Sequence, residues 1–246
     1  MTSSNRSEYV TLAVEDGTTM RTWLERPEGG KPHAGLMIFQ EAFGVNAHIR
    51  DVAGRFAGEG YMSIVPELFH RTAPGFEGDY ADFRSVMPHI QALTTEGLEA
   101  DVRAAFEYLR KSSGTDALAS VGYCMGGRVS FLANLAAPLK AAISYYGGGI
   151  APGDRGPGLL NRVRDLHAPM LFFWGLKDEH IGIQQPRDVA DAVRAAGKPF
   201  VSVEFSGAGH AFFNDARPSY NAEAAAESWG LTLEFLRIHL GKRPLM

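Results

Sequence analysis

A single cysteine in 246 residues removes several options at once. A lone thiol forms no internal disulfide, and without a second cysteine there is no Cys-based metal framework. Long apolar runs are missing as well, none approaching the ~20 residues of a membrane span. The N-terminal stretch MTSSNRSEYVTLAVEDG has no uninterrupted apolar core of the kind a secretory signal needs, so a cytoplasmic address is expected. Blocks of like charge are also absent: 24 basic and 28 acidic residues are interspersed and sum to −4. Nucleic acid and anionic membrane are therefore not expected as partners. No internal repeat, low-complexity tract or interdomain linker is found.

What is present is an ordinary globular composition, 45% hydrophobic and 21% charged, with enough apolar material for a sizeable core. Chains of this length in α/β folds commonly form one unit, so a single domain over 1–246 is expected. Two short alternating segments, 9–14 and 20–25, flank Asp16-Gly17 and read as an antiparallel hairpin at a sheet edge. Beyond them, apolar runs of strand length at 35–39, 62–65, 120–123, 141–146, 170–174 and 200–205 alternate with stretches of helical period. Helices are expected from about Ala47, through 100–109, from Met125, near 188–196 and over about 222–240. Leu98, Val102, Ala105 and Leu109 share one helical face, as do Trp229, Leu233, Leu236 and Leu240. This alternation implies a mostly parallel central sheet with helices on both faces. Two long loops, 67–82 and 147–168, leave C-terminal strand ends, where ligands bind in open α/β sheets.

Val121-Gly122-Tyr123-Cys124-Met125-Gly126-Gly127 places the cysteine between a buried strand and a helix, with glycines two before and two after it. This is the pattern of a nucleophile elbow with sulfur in place of the usual serine oxygen. A sharp strand-to-helix turn strains the nucleophile's backbone and crowds its neighbours, which explains the glycines. The free N–H groups of the helix start favour a thiolate and can donate to a developing oxyanion. The plain alternative is a buried cysteine acting as a small hydrophobe.

A thiol near its ordinary pKa of ~8.5 is only slightly ionised at neutral pH and needs a base. Of eight histidines, His210 is best placed: it follows the strand at 200–205 within Gly207-Ala208-Gly209-His210-Ala211-Phe212. Asp178, in Gly175-Leu176-Lys177-Asp178 after the strand at 170–174, is the candidate that orients the imidazole. Each has an ordinary reading, as a turn or surface residue, and Glu179 and His180 compete with Asp178. The order Cys124, Asp178, His210, each at a separate strand end, is that of nucleophile, acid and histidine in the α/β-hydrolase fold.

From about Tyr9 to Leu240 the chain resembles the dienelactone hydrolase (carboxymethylenebutenolidase) family. The resemblance rests on Gln40-Glu41-Ala42-Phe43-Gly44-Val45-Asn46, Pro66-Glu67-Leu68-Phe69, the Gly122–Gly127 segment, Tyr145-Tyr146-Gly147, Gly175-Leu176-Lys177-Asp178 and Gly209-His210-Ala211-Phe212. It implies an α/β-hydrolase fold and a hydrolase of ester or lactone bonds that needs no metal or organic cofactor. It also implies that Glu41 lies beside the nucleophile, holding the thiol at rest and taking its proton when substrate binds. The backbone N–H groups of Ala42 and Met125 would form the oxyanion hole. One position departs from the pattern: Asn214 stands where enzymes acting on dienelactone carry an arginine that binds the substrate carboxylate. Arg84 is the nearest candidate for a second family arginine. Loss of a bidentate clamp implies weaker recognition of anionic substrates. Phe43, Phe76, Tyr80, Tyr145 and Phe212 are candidates for lining an apolar pocket, or for the core. The expected partner is a small ester or lactone, and the expected assembly a monomer or small homo-oligomer. Activity on phosphoesters, or a non-catalytic, redox-sensing use of Cys124, are the rival readings.

Overall fold

The computed structural model describes residues 6–29, 31–153 and 156–241. Residues 1–5, part of the N-terminal stretch read for a signal, lie outside the described residues, as do 154 and 155 within the second long loop. The chain divides into two compact units, Met1–Ala119 and Ser120–Met246.

In the first unit the hairpin forms as expected: β1 (Arg6–Ala13) pairs antiparallel with β2 (Thr19–Arg26) from Arg6↔Arg26 to Ala13↔Thr19. Gly17 takes φ 86° in the connecting turn, and Asp16 Oδ1 accepts the Thr18 N–H at 3.0 Å, closing it locally. β2 continues antiparallel onto β4 (Tyr61–Pro66), which runs parallel to β3 (Ala34–Phe39), so the order is β1-β2-β4-β3. β3 and β4 are buried at every position, which is why they read as continuous apolar runs. Between them runs α1 (Ala47–Gly58), started by Asn46, whose Oδ1 accepts the Ile49 N–H at 3.2 Å. α3 (Thr95–Ser113) starts at Thr94, ends on Gly114 at φ 65°, and buries Leu98, Val102, Ala105 and Leu109 as their spacing requires.

The stretch before α3 holds a helix that periodicity did not assign, α2 (Phe83–Gln91). It contains Pro88 and buries only Val86; Phe83, Val86, Met87 and Ile90 do recur at helical spacing, but the proline interrupts the helical composition.

The second unit has the order β5-β6-β7-β8 for Leu118–Tyr123, Ala141–Tyr145, Met170–Gly175 and Phe200–Phe205, with β7 parallel to both β6 and β8. The boundary between the units falls within β5. α4 (Met125–Ala136) follows β5 directly, α5 (Gln184–Ala195) precedes β8, and α6 (Ala222–Leu240) closes the unit from its Asn221 cap. The 147–168 loop contains a 3-10 helix, Leu160–Asp165. No helix among the described residues is long and apolar enough to cross a membrane. The eight strands are mostly parallel with an antiparallel N-terminal pair, an α/β architecture.

Asn46 serves two structures, capping α1 and donating from Nδ2 to the Tyr80 hydroxyl at 2.9 Å. Asn46→Ala is expected to cost about 1–2 kcal/mol of stability, read as a lower urea midpoint with an unchanged slope.

Candidate active site

The turn between β5 and α4 has no room for side chains beside the sulfur. A Cβ on Gly122 would lie 1.8 Å from the Gly126 carbonyl oxygen, and one on Gly127 would lie 2.8 Å from Gly147 Cα. Cys124 itself sits at φ 55°, ψ −118°, a left-handed conformation that costs a residue with a side chain about 1–3 kcal/mol. Its N–H donates to the Tyr145 carbonyl at 3.0 Å and its carbonyl accepts from Gly127 at 2.9 Å. The thiol is half-buried at the start of α4, and Met125 occupies the first helical position. Strain and partial exposure argue against a cysteine kept only as core filler.

Three described residues other than glycine have positive φ: Cys124, Tyr146 at 39° and Ala211 at 58°. Each lies at or near a histidine contact. Tyr146 comes directly after β6, its N–H held by the Phe173 carbonyl at 2.8 Å, and its ring stands edge-on to His210 at 5.2 Å. Ala211 follows His210 itself. His210 Nε2 lies 3.0 Å from Cys124 Sγ, and His210 Nδ1 lies 2.7 Å from Asp178 Oδ2. A carboxylate only accepts, so Nδ1 carries the proton and Nε2 faces the sulfur. Asp178 is held through its other oxygen, which accepts the His180 N–H at 2.8 Å and the Ile181 N–H at 3.0 Å. These bonds decide among the three candidates in that turn. Asp178 is the carboxylate on the imidazole, Glu179 is exposed, and His180 contributes its backbone plus a ring set edge-on to His210 at 5.1 Å.

His210 is mostly buried, and burial opposes a charged imidazole. The charge at Cys124, the hydrogen bond to Asp178, the bond to Cys124 and the Asp178 charge together outweigh it, raising His210 to about 10. The surroundings therefore favour the protonated, charged form of His210.

The remaining sequence candidates fall in two places. Glu41 and Ala42, both buried, lie in the first unit in the turn after β3. In the same unit Phe43 packs edge-on to Tyr80 at 4.8 Å, the Phe43 carbonyl accepts the Gly78 N–H at 3.0 Å, and Phe76 packs against Phe69 and His89. Arg84 is exposed in the first turn of α2. Tyr145 and Phe212 correct the expectation of a lining role. Both are fully buried, and the Tyr145 hydroxyl is committed to Thr232 Oγ1 at 2.7 Å and the Ser228 carbonyl at 3.0 Å on α6. Phe212 packs against Tyr145, Tyr146 and Phe205. The tyrosine at the imidazole is Tyr146; its neighbour belongs to the core because β6 ends between them and the chain kinks. Asn214 is also fully buried, its Oδ1 accepting the Ala216 N–H at 3.0 Å, so it shapes its own turn. Among the described residues no cluster of three or more His, Cys, Asp or Glu is arranged to hold a metal ion.

Two outcomes test this arrangement. Tyr145→Phe is expected to cost about 1–2 kcal/mol of stability while leaving kcat/KM within about twofold, since its hydroxyl braces α6; a much larger activity loss at intact stability would return it to the substrate surface. The raised His210 pKa stabilises the fold fully below about pH 6.5, and this contribution is lost as pH rises through about 10. The stability advantage of wild type over His210→Gln should therefore narrow between those limits in urea titrations, and a gap constant with pH would contradict the pairing.

Comparison with known proteins extends these observations to most of the chain. The model of the Dienelactone hydrolase family matches residues 20–240. A protein of Escherichia coli named "Putative carboxymethylenebutenolidase" is 33% identical over 249 residues, covering 96% of this chain and 88% of its own length. A Synechocystis sp. protein of the same name is 34% identical over 249 residues, covering 93% and 95%. The crystal structure of "Putative Dienelactone Hydrolase from Klebsiella pneumoniae" superposes with a TM-score of 0.86 at 29% identity, covering 95% of this chain and 98% of that one. A dienelactone hydrolase-like promiscuous phosphotriesterase from metagenomic libraries shares the fold, with a TM-score of 0.82 at 20% identity over 97% of this chain and all of that one. With its α/β-hydrolase architecture and the six motifs that carried the resemblance, this chain belongs to the dienelactone hydrolase family.

Proposed function

We propose that the chain, working as one domain, hydrolyses an ester or lactone bond through a thioester on Cys124. The observation that carries this reading is the 3.0 Å approach of His210 Nε2 to Cys124 Sγ, with Asp178 on the other ring nitrogen at 2.7 Å. The thiolate adds to the acyl carbon, and the carbonyl oxygen becomes an oxyanion. The backbone N–H of Met125, at the first position of α4, stabilises it, as the family resemblance implies. Collapse breaks the acyl C–O bond, and His210 hands its proton to the departing alkoxide or enolate. His210, now neutral, takes a proton from water, which adds to the thioester; collapse expels the thiolate and leaves the acid. In this scheme Asp178 keeps the imidazole oriented and supports its charge. None of these steps calls on a metal or organic cofactor.

The favoured substrates are uncharged esters and lactones. Asn214 offers no guanidinium fork for a carboxylate and is tied into its own turn. A working thiolate also suits a reducing compartment such as the cytoplasm, where it stays unoxidised.

Cys124→Ala should lower hydrolysis of a chromogenic acetate and of a simple aryl lactone by about a thousandfold or more. Wild-type protein quenched during turnover should carry the acyl mass on Cys124. Full activity in the alanine variant on every ester tested would refute the mechanism. A phosphotriester in the same panel separates the rival chemistry: turnover of it faster than of all esters and lactones would move the reading to phosphoryl transfer.

A further inference from the structure

The sheet of the second unit ends on β8, and among the described residues no strand pairs with its outer edge. In a parallel pair, successive residues turn their backbone groups alternately toward the neighbouring strand and away from it. The Pro199 carbonyl accepts the Met170 N–H at 3.2 Å and the Phe205 carbonyl accepts the Leu176 N–H at 3.0 Å, so Pro199, Val201, Val203 and Phe205 face β7. Phe200, Ser202 and Glu204 therefore turn their N–H and C=O groups outward. Among the described residues nothing hydrogen-bonds to these six groups. Proteins commonly shield such an edge with a lysine, a proline or a bulge. β8 has none of them: its register with β7 runs unbroken from Phe200 to Phe205, and Lys198, just before it, is turned back onto the Leu166 carbonyl at 2.8 Å.

The side chains of β8 divide by face. Ser202 Oγ accepts from Trp174 Nε1 at 3.2 Å, and the Arg194 guanidinium of α5 stands 5.8 Å from the centre of the Phe200 ring, so Phe200, Ser202 and Glu204 share the α5 face. Val201 and Val203 lie on the opposite face, and Val201 is 46% exposed. Antiparallel pairing of two such strands about a twofold axis at Ser202 uses all six outward groups. It sets Phe200 opposite the partner's Glu204 and Val201 opposite the partner's Val203. The valines then meet at a non-hydrogen-bonded position, where side chains approach most closely. The partner's Glu204 arrives beside Phe200, where Arg194 stands. Arg194 already pairs with Asp191 at 2.5 Å, and its five N–H donors leave room for a second carboxylate. Sliding the pairing by two residues in either direction leaves part of the row unpaired and moves the partner's Glu204 away from Arg194.

We propose that β8 is a self-association edge: two copies of this chain pair antiparallel along it, joining their β5–β8 sheets and forming two Arg194–Glu204 ion pairs between copies. A second copy suits the edge because one twofold register satisfies its backbone, apolar and charged groups together, as an isologous interface requires. The proposal does not depend on the chemistry at Cys124.

Sedimentation equilibrium of the wild-type protein over a concentration series should give a dimer. Glu204→Arg and Arg194→Glu each set like charges across the edge twice, and each should weaken dimerisation about tenfold or more. Combining the two reverses both signs and should restore the wild-type dissociation constant to within about threefold, a recovery that general damage to the fold would not produce. Val201→Lys, at an exposed position, should give a folded monomer. The register is read separately, by cysteine pairing in a Cys124→Ala background. Ser202→Cys lies on the axis, where paired Cα atoms stand about 5.5 Å apart, so mild oxidation should link two copies. Glu204→Cys lies about 14 Å from its mate and should stay unlinked. A wild-type monomer throughout the series overturns the proposal, and one that takes up a strand-forming peptide assigns the edge to another kind of partner. A dimer left intact by all three single variants overturns it as well, and so does linking of Glu204→Cys as readily as Ser202→Cys.

Discussion

The backbone at Cys124 is held in a conformation that residues with side chains avoid, and the chemistry attributed to this protein follows from that constraint. A left-handed φ at the end of β5 turns the chain into α4 within one residue, so the sulfur stands clear of both elements. The strain, about 1–3 kcal/mol, persists because the surroundings leave no alternative. The Tyr145 carbonyl takes the Cys124 N–H, Gly127 closes the first turn onto its carbonyl, and Gly122 and Gly127 admit backbone where any side chain would collide. Tyr146 and Ala211 carry similar strain on neighbouring segments, so the unfavourable backbone is gathered around His210.

Among the described residues, two buried histidine–aspartate pairs show how surroundings set the environment of the same two residue types. His70 Nε2 meets Asp101 Oδ1 at 3.0 Å, with both side chains almost wholly buried. There Arg71 takes both Asp101 oxygens, at 2.8 and 2.9 Å, and so neutralises the carboxylate and ties the 67–82 loop to α3. Asp178 has no such cation in its hydrogen-bonding; backbone N–H groups fill its second oxygen, and its full charge acts on His210. His210 in turn keeps a small exposed surface and faces a sulfur, whereas His70 is sealed. The first pair is a fastening; the second leaves an imidazole nitrogen facing the sulfur of Cys124.

The long loop after β4 is pinned rather than loose. Glu67 accepts the Gly75 N–H at 2.8 Å and pairs with Arg21, Arg71 reaches Asp101, and Arg50 grips Glu77. Exposed ion pairs contribute little individually, but several along one loop, with a buried Glu67 and Asp101 among them, restrict where the segment can go. The same loop supplies Leu68 to Gln40 and Tyr80 to Asn46, so its order is transmitted to the turn that carries Glu41 and Ala42. A loop that long is often a mobile lid; here its charges and backbone bonds make it part of the scaffold.

Local regularities were legible in the amino-acid sequence because they depend on neighbours along the chain. Alternation marked the hairpin, continuous apolar runs marked the buried strands, helical spacing marked α1 and α3 to α6, and the glycine frame around Cys124 marked the bend. Chain order alone brought Cys124, Asp178 and His210 into consideration together, as the residues at three strand ends. The helix α2 escaped because Pro88 interrupts its composition, although Phe83, Val86, Met87 and Ile90 recur at helical spacing. Contacts between distant segments were decided only by the tertiary structure. Asp178 rather than Glu179 carries the imidazole because its oxygens meet the turn's own N–H groups, and Tyr146 rather than Tyr145 meets His210 because β6 ends between them. Spacing along a chain specifies which face a residue shares with its neighbours; which atoms meet across space is set when separately formed elements pack, and that information is not periodic.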